Sequence, residues 1–149
     1  MSGEKLSQLP PLGTLASSDL IYVVRGGASF QAEVGLVSGG ALLRQTKTAN
    51  YTLTAADAGT YFDNIGALSE VDFTLPATPS ATQVNGFVIA AAQLIKIIAP
   101  VGTTISLGST ATTDGGFVSC PDPGANLVLY AVTQAQWVSL SLSGGWSIN

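Results

Sequence analysis

Turn-forming residues interrupt this chain so often that no long helix fits between them. Seven prolines and four glycine pairs stand at short intervals, and the pairs are Gly26-Gly27, Gly39-Gly40, Gly115-Gly116 and Gly144-Gly145. The runs between them are short and rich in Val, Ile, Thr, Tyr and Phe, which fit a pleated, half-buried strand. Strands at a spacing of about 8–12 residues, bounded by turn signals, are typical of a β-sandwich or barrel.

We therefore predict an all-β fold, an antiparallel β-sandwich of jelly-roll-like form. The predicted strands are Leu20–Val24, Ser29–Val34, Tyr51–Leu53, Thr60–Asn64, Val71–Leu75, Gly86–Ala91, Leu94–Ala99, Thr103–Leu107, Phe117–Ser119, Asn126–Val132, Gln136–Leu142 and Trp146–Ile148. One stretch departs from this pattern, because Thr54 can cap a helix, Asp57 follows three residues later and Gly59 can end it. This stretch predicts one or two helical turns.

Two long strands near the end of the chain differ in their alternation. In the run Trp137–Leu142, Val138, Leu140 and Leu142 share one face, with the tryptophan and two serines on the other. In the run Leu127–Val132, both alternating sets are apolar. That pattern predicts a strand buried on both sides.

The turn signals also divide the chain into two parts. We predict an N-terminal arm and hairpin over residues 1–40 and a β-sandwich domain over residues 41–149. Pro10-Pro11 favours an extended arm, and Arg25–Ala28 separates two strand-like runs as a hairpin turn does. Asp114-Gly115 is a further hairpin signal.

The residues that are missing exclude several kinds of chemistry. The chain has no histidine and one cysteine, Cys120. A Ser-His-Asp triad, a Cys-His pair, a histidine metal site and an internal disulfide are therefore excluded. With no basic neighbour to activate it, Cys120 is predicted to be a buried, inert thiol. We expect no cofactor, no metal and no enzymatic activity.

Two carboxylates keep an enzymatic alternative open. Glu70 and Asp72 lie two residues apart and should project from the same face of a strand. Paired carboxylates can hydrolyse glycosides or bind calcium. The ordinary interpretation is a solvated strand face opposite Val71 and Phe73, and we favour it.

Charge is scarce, and that scarcity constrains the partners. Charged residues make up 9% of the chain, against about 25% in an average domain, and the net charge is −4. With five scattered basic residues, binding to nucleic acid is not expected. The longest apolar run, residues 87–99, contains Gln93 and Lys96 and is too short to span a membrane. A surface so poor in charge favours permanent assembly with copies of the chain or with a scaffold.

Aromatic residues supply the remaining candidate binding surface. Tyr61, Trp137 and Trp146 lie in predicted strands, where aromatic side chains serve as core or interface anchors. The alternative is a surface on which sugar rings stack.

Several blocks of the sequence carry a family likeness. They are Lys5–Pro10 (KLSQLP), Asp19–Gly27 (DLIYVVRGG), Tyr51–Tyr61 (YTLTAADAGTY), Phe73–Ala77 (FTLPA), Trp137–Leu140 (WVSL) and Ser143–Ser147 (SGGWS). Together these hydrophobic and turn patterns cover most of the chain. They resemble structural proteins of tailed-bacteriophage virions, among them capsid decoration (cement) proteins and short tail fibres.

The resemblance implies a homotrimeric β-rich protein of the virion, located on the capsid surface or the tail and assembled in the host cytoplasm. Its partners would be copies of itself and the major capsid protein or tail proteins. We call the N-terminal arm and hairpin, residues 1–40, the leader. We expect no long shaft or large receptor domain after it, so a capsid decoration protein is the first expectation. A short tail fibre or tail-tip protein that binds host receptor glycans is the alternative. The leader residues expected to anchor it are Leu6, Leu9, Leu12, Leu20, Tyr22 and Val24.

Overall fold

The structure divides the chain into two units, residues 1–41 and residues 42–149. It is a computed structural model that describes the backbone of residues 20–25 and 28–33 and complete residues over 43–80 and 82–149.

In the first unit, two strands form an antiparallel hairpin. Strand β1 (Leu20–Arg25) pairs with β2 (Ala28–Glu33), with Leu20 opposite Glu33 and Arg25 opposite Ala28. The predicted hairpin is confirmed. The predicted arm before it lies outside the described residues.

In the described residues of the second unit, twelve strands form two sheets. In chain order they are β3 (Leu43–Thr46), β4 (Tyr51–Thr52), β5 (Thr60–Asp63), β6 (Val71–Thr74), β7 (Val84–Val88), β8 (Ile95–Ile98), β9 (Thr104–Leu107), β10 (Thr110–Ala111), β11 (Phe117–Cys120), β12 (Asn126–Thr133), β13 (Gln136–Ser143) and β14 (Ser147–Ile148). The seven-stranded sheet has the order β10-β9-β13-β12-β7-β5-β3, and the five-stranded sheet has the order β14-β11-β8-β6-β4. The described residues contain no α-helix, and the fold is nearly all β and sandwich-like.

The first six strands of this unit wind as a coil between the sheets. Strands β3, β5 and β7 lie side by side and parallel in the larger sheet. Strands β4, β6 and β8 do the same in the smaller sheet. The chain therefore changes sheet after each strand, and each pair of strands completes one turn of the coil. Strand β12 then covers β7 and β11 covers β8, both antiparallel, so these strands close one end of the coil.

This winding corrects part of the predicted fold. The prediction of purely antiparallel sheets was wrong, because five ladders among the described strands are parallel. A jelly roll consists of antiparallel strands, so that topology is not confirmed. The hairpin predicted at Asp114-Gly115 was also wrong, since β10 and β11 belong to different sheets. Gly115 does occupy a turn, with φ of 67°.

Four aromatic rings hold the two sheets together. Phe62 and Phe87 come from neighbouring strands of the larger sheet, with ring centroids 5.8 Å apart. Phe73 from the smaller sheet packs against both, at 5.4 Å and 5.3 Å. Tyr51 adds a fourth ring 5.6 Å from Phe62. Aromatic pairs at these separations add to the free energy gained by burying their area.

A buried polar network fixes the connection from β4 to β5. The residues Ala55–Asp57 form one 3-10 turn after Thr54, as the capping pattern predicted. The Asp57 carboxylate accepts hydrogen bonds from the Thr54 N–H at 2.8 Å and from the Tyr51 hydroxyl at 3.1 Å. Asn85 of β7 donates to the Asp57 carbonyl at 2.6 Å. A satisfied buried network of this kind specifies one arrangement of the strands that it joins.

The predicted alternation in the two long strands was wrong in part. In β12, Leu127, Leu129 and Ala131 are buried, but the opposite face is half-buried or exposed. In β13, a register shift leaves Leu140 unpaired between Ser139 and Ser141. Val138 and Leu142 consequently lie on opposite faces, because a β-bulge shifts the alternation by one residue.

Truncation at the centre of the aromatic cluster tests this account of the core. Phe62→Ala should lower the free energy of unfolding by about 3–5 kcal/mol, because it removes a fully buried ring that touches three others. Leu68→Ala is the control, since Leu68 is 94% exposed, and it should change stability by less than about 0.5 kcal/mol. Denaturant unfolding followed by tryptophan fluorescence measures both. Equal losses in the two variants would contradict the assigned core.

Candidate functional site

A pocket of about 340 Å³ opens where β3, β5 and β7 run side by side. The residues that line it are Arg44, Tyr61, Phe62, Asp63, Val88 and Ala90. The parallel register assembles this set, because Arg44 lies opposite Tyr61 and Asp63 lies opposite Val88. Alternate residues of a strand share a face, so Tyr61 and Asp63 both project on the side away from Phe62.

An ion pair forms the polar wall of the pocket. Arg44 Nε donates to Asp63 Oδ2 at 2.6 Å, and the Thr46 hydroxyl and the Ile65 N–H donate to Oδ1 at 2.9 Å and 3.1 Å. The Asp63 side chain is only 5% exposed, whereas that of Arg44 is 62% exposed. Burial alone would raise the pKa of Asp63, but the hydrogen bonds and the charge of Arg44 outweigh it and lower the pKa. The Asp63 carboxylate therefore stays ionised at neutral pH.

Tyr61 forms the aromatic wall, and a glycine makes room for it. A Cβ added to Gly86 on the adjacent strand would collide with the Tyr61 ring. The ring therefore rests directly on the backbone of β7. A glycine in a strand interior often marks such a close approach. Tyr61 thus occupies a fixed position at the pocket.

The pocket has the size and mixed lining of a small-ligand site. Its volume is at the lower end of the range for ligand sites, about 300–1,000 Å³. The Arg44 guanidinium uses Nε on Asp63, and its terminal nitrogens belong to an exposed side chain. The walls offer an aromatic ring, aliphatic side chains and one ion pair. No nucleophile with an adjacent base lies among them.

The other two predicted aromatics occupy different environments. Trp137 is fully buried, which agrees with its interpretation as a core anchor and leaves no face for stacking on a sugar. Trp146 is partly buried, and its indole N–H lies 3.1 Å from the Asn126 carbonyl and 3.0 Å from the Ser143 carbonyl. It therefore fastens the chain end to β12 and β13. Tyr61 alone of the three lines the pocket.

The paired carboxylates share a face, as predicted, and a lysine lies between them. Lys96 Nζ lies 2.6 Å from Glu70 Oε1 and 3.7 Å from Asp72 Oδ1. The hydrogen bond from Lys96 lowers the pKa of Glu70, while burial and the neighbouring Glu70 raise the pKa of Asp72. Neither carboxylate lines the pocket, and within the described residues no three His, Cys, Asp or Glu side chains form a metal-binding group.

The predicted leader anchors fall into two groups. Leu6, Leu9 and Leu12 lie outside the described residues. Leu20, Tyr22 and Val24 belong to β1, paired with Glu33, Gln31 and Ser29 of β2.

Cys120 is buried, as predicted. Burial raises the pKa of its thiol, which keeps the sulfur protonated and unreactive.

Large apolar side chains are exposed at several places on residues 42–149. They are Leu43, Ile65, Leu68, Val101, Val132, Leu140 and Leu142. Scattered exposed apolar residues are normal on a monomer. Three of these residues, however, lie on the hairpin formed by β12 and β13.

Sequence reasoning missed Arg44 and Asp63 as site residues. They lie 19 positions apart, and only the parallel pairing of β3 with β5 brings them together. No local motif signals such a pairing. The only signal in the sequence was indirect. The chain has five basic residues, and Arg44 is one of them, so it was a candidate for an ion pair.

Comparison with known proteins adds no relative. No protein-family model matches the chain, and no curated protein matches it. Across the part of the chain that the structure describes, no helix has the length and apolar character needed to cross a membrane.

The pH dependence of stability tests the ion pair. Because the pKa of Asp63 is lowered in the folded protein, its stabilising effect is complete above its ordinary value of 3.8 and is lost as the pH falls through the lower folded value. Asp63→Asn should therefore cost about 1–2 kcal/mol at pH 7 and progressively less in acid. Denaturant titrations of both proteins from pH 7 to pH 2 measure this difference. A constant difference would show that Asp63 titrates normally.

A double-mutant cycle tests the contact of Tyr61 with Gly86. Gly86→Ala should cost about 1–3 kcal/mol, because the new methyl group displaces the ring. In a Tyr61→Ala background the same substitution should cost much less, since the obstructing ring is gone. Unfolding free energies of the four proteins give the coupling. Additive effects would refute the contact.

Proposed function

We propose that this chain is a structural protein of a phage virion, a capsid decoration (cement) protein that binds the outer capsid as a homotrimer and stabilises it. The observation that carries the proposal is a β-rich body with few charges and exposed large apolar residues. Such a surface favours lasting contact with other protein surfaces. The resemblance of the sequence to virion proteins is the reason for proposing a phage particle as the partner.

In this proposal the two units have different tasks. Residues 1–40 attach the protein to the major capsid protein, with Leu6, Leu9, Leu12, Leu20, Tyr22 and Val24 as anchors. Residues 41–149 form the rigid body that bridges neighbouring subunits, and their own core supports that role.

The mechanism is mass action. Each apolar residue buried against the shell contributes roughly 25 cal/mol per Å² of covered surface. A protein that binds the assembled shell, and not its dissociated subunits, shifts the equilibrium toward the shell. No cofactor, nucleic acid or membrane takes part, and the protein resides in the virion after assembly in the host cytoplasm.

A second candidate is a short tail fibre or tail-tip protein that binds host glycans. The pocket beside Tyr61 favours it, because an aromatic wall next to an ion pair offers both stacking and hydrogen bonds to a sugar. Copy number separates the two candidates. Hundreds of copies per particle indicate decoration, and a few dozen or fewer indicate a tail protein. Glycan-array binding that Tyr61→Ala abolishes would favour the tail.

Removal of the leader tests the division of tasks. A chain lacking residues 1–30 should keep a folded β body, because the described core residues, with those packed against them, all lie between Tyr51 and Ile148. It should no longer bind capsids that lack the protein, whereas the full chain should bind them and raise the temperature at which they rupture. Cosedimentation and a thermal rupture assay measure these outcomes. Normal occupancy by the truncated chain would refute attachment through the leader.

A further inference from the structure

Strand β13 loses its neighbour on one side halfway along its length. Strand β9 pairs with Gln136, Trp137 and Val138 and ends at Leu107. On that side the Gly108 N–H still donates to the Ser139 hydroxyl at 3.3 Å. Beyond it, Ser141–Ser143 pairs only with β12 among the described strands, and Leu140 is the unpaired residue of the bulge. We call Leu140–Ser143 the open edge.

The open edge is apolar as well as unpaired. Leu140 is 60% exposed and Leu142 is 44% exposed. The bulge causes part of this exposure, because Leu140 has no residue opposite it on β12. Between and beside the two leucines stand only serines.

Other edges of these sheets are protected in ways that the open edge is not. Strand β3 carries Arg44 and is followed by Lys47, and charged side chains on an edge oppose pairing with another chain. The strands β4, β10 and β14 have two residues each, too few for a lasting ladder. By contrast, no charged side chain and no proline occurs from Gly124 to Asn149.

We propose that a second copy of this chain packs on the open edge. The open edge is then the surface that joins the copies of the proposed homotrimer, so this inference rests on that proposal. A charged partner would lose hydration free energy on binding, and an uncharged edge has no opposite charge to offset that loss. A second copy brings the same leucines and serines, which match in polarity. In a cyclic oligomer, equivalent residues meet around the axis, so one small apolar stripe serves every copy.

Sedimentation velocity of charge variants tests this surface. The full-length wild type should sediment as a trimer, and Leu140→Lys should sediment as a monomer, because each contact would bury an unpaired ammonium group. Leu68→Lys is the matched control, since it places the same charge on a leucine that is 94% exposed elsewhere, and it should remain a trimer. Thermal melts show whether each variant is folded.

The outcomes separate the two proposals. A folded Leu140→Lys that stays oligomeric overturns the open edge as the interface and leaves self-assembly intact. A wild type that is monomeric at all concentrations overturns the self-assembly on which this inference rests. Dissociation by Leu68→Lys as well would also contradict the assignment, because it removes the specificity of the edge.

A cross-linking experiment tests the interface without breaking it. Ser141→Cys places a thiol on the open edge, and Cys120 is buried, so mild oxidation acts on the new thiol alone. The proposal predicts disulfide-linked dimers on a non-reducing gel, at a protein concentration where Leu68→Cys forms none. Absence of a cross-link in an oligomeric Ser141→Cys protein would overturn the proposed interface.

Discussion

Packing among four aromatic rings is the interaction on which the β body depends. Phe62 and Phe87 project from the larger sheet, and Phe73 meets both from the smaller one. Each ring comes from a different turn or layer of the coil, so the cluster joins the turns to one another and the sheets to each other. The coil has short strands, and short strands gain little from backbone pairing alone. Burial of these rings supplies the free energy that the ladders lack.

The same coil positions the candidate site and keeps it apart from the paired carboxylates. Parallel pairing puts Arg44 beside Asp63, and Gly86 lets Tyr61 lie against the sheet. Its walls include a tyrosine ring packed on the β7 backbone and a buried carboxylate paired with Arg44. The acid–base candidates, Glu70 and Asp72, lie away from it around Lys96.

Local signals in the sequence located most strands but not their partners. Turn residues and β-branched runs marked ten of the twelve strands in residues 42–149, and the capping pattern at Thr54 marked the 3-10 turn. Strand β3 was missed because its sequence, LRQT, has one apolar residue, and its pairing with β5 defines it. Parallel pairing was missed because the links between successive strands carry no crossover α-helix, the usual sequence sign of parallel strands. The change of face between Val138 and Leu142 was missed because a bulge has no fixed sequence signal.

Parallel winding also affects how the protein is made. Each strand from β5 to β8 can pair with a strand that left the ribosome two elements earlier, so the coil can grow during translation. Its last turn cannot be completed in this way. The edges of β7 and β8 remain unpaired until β12 and β11 are made, about forty and about twenty residues later. Nascent chains that stall in this interval expose two bare parallel edges, and chaperones would be needed most at that moment.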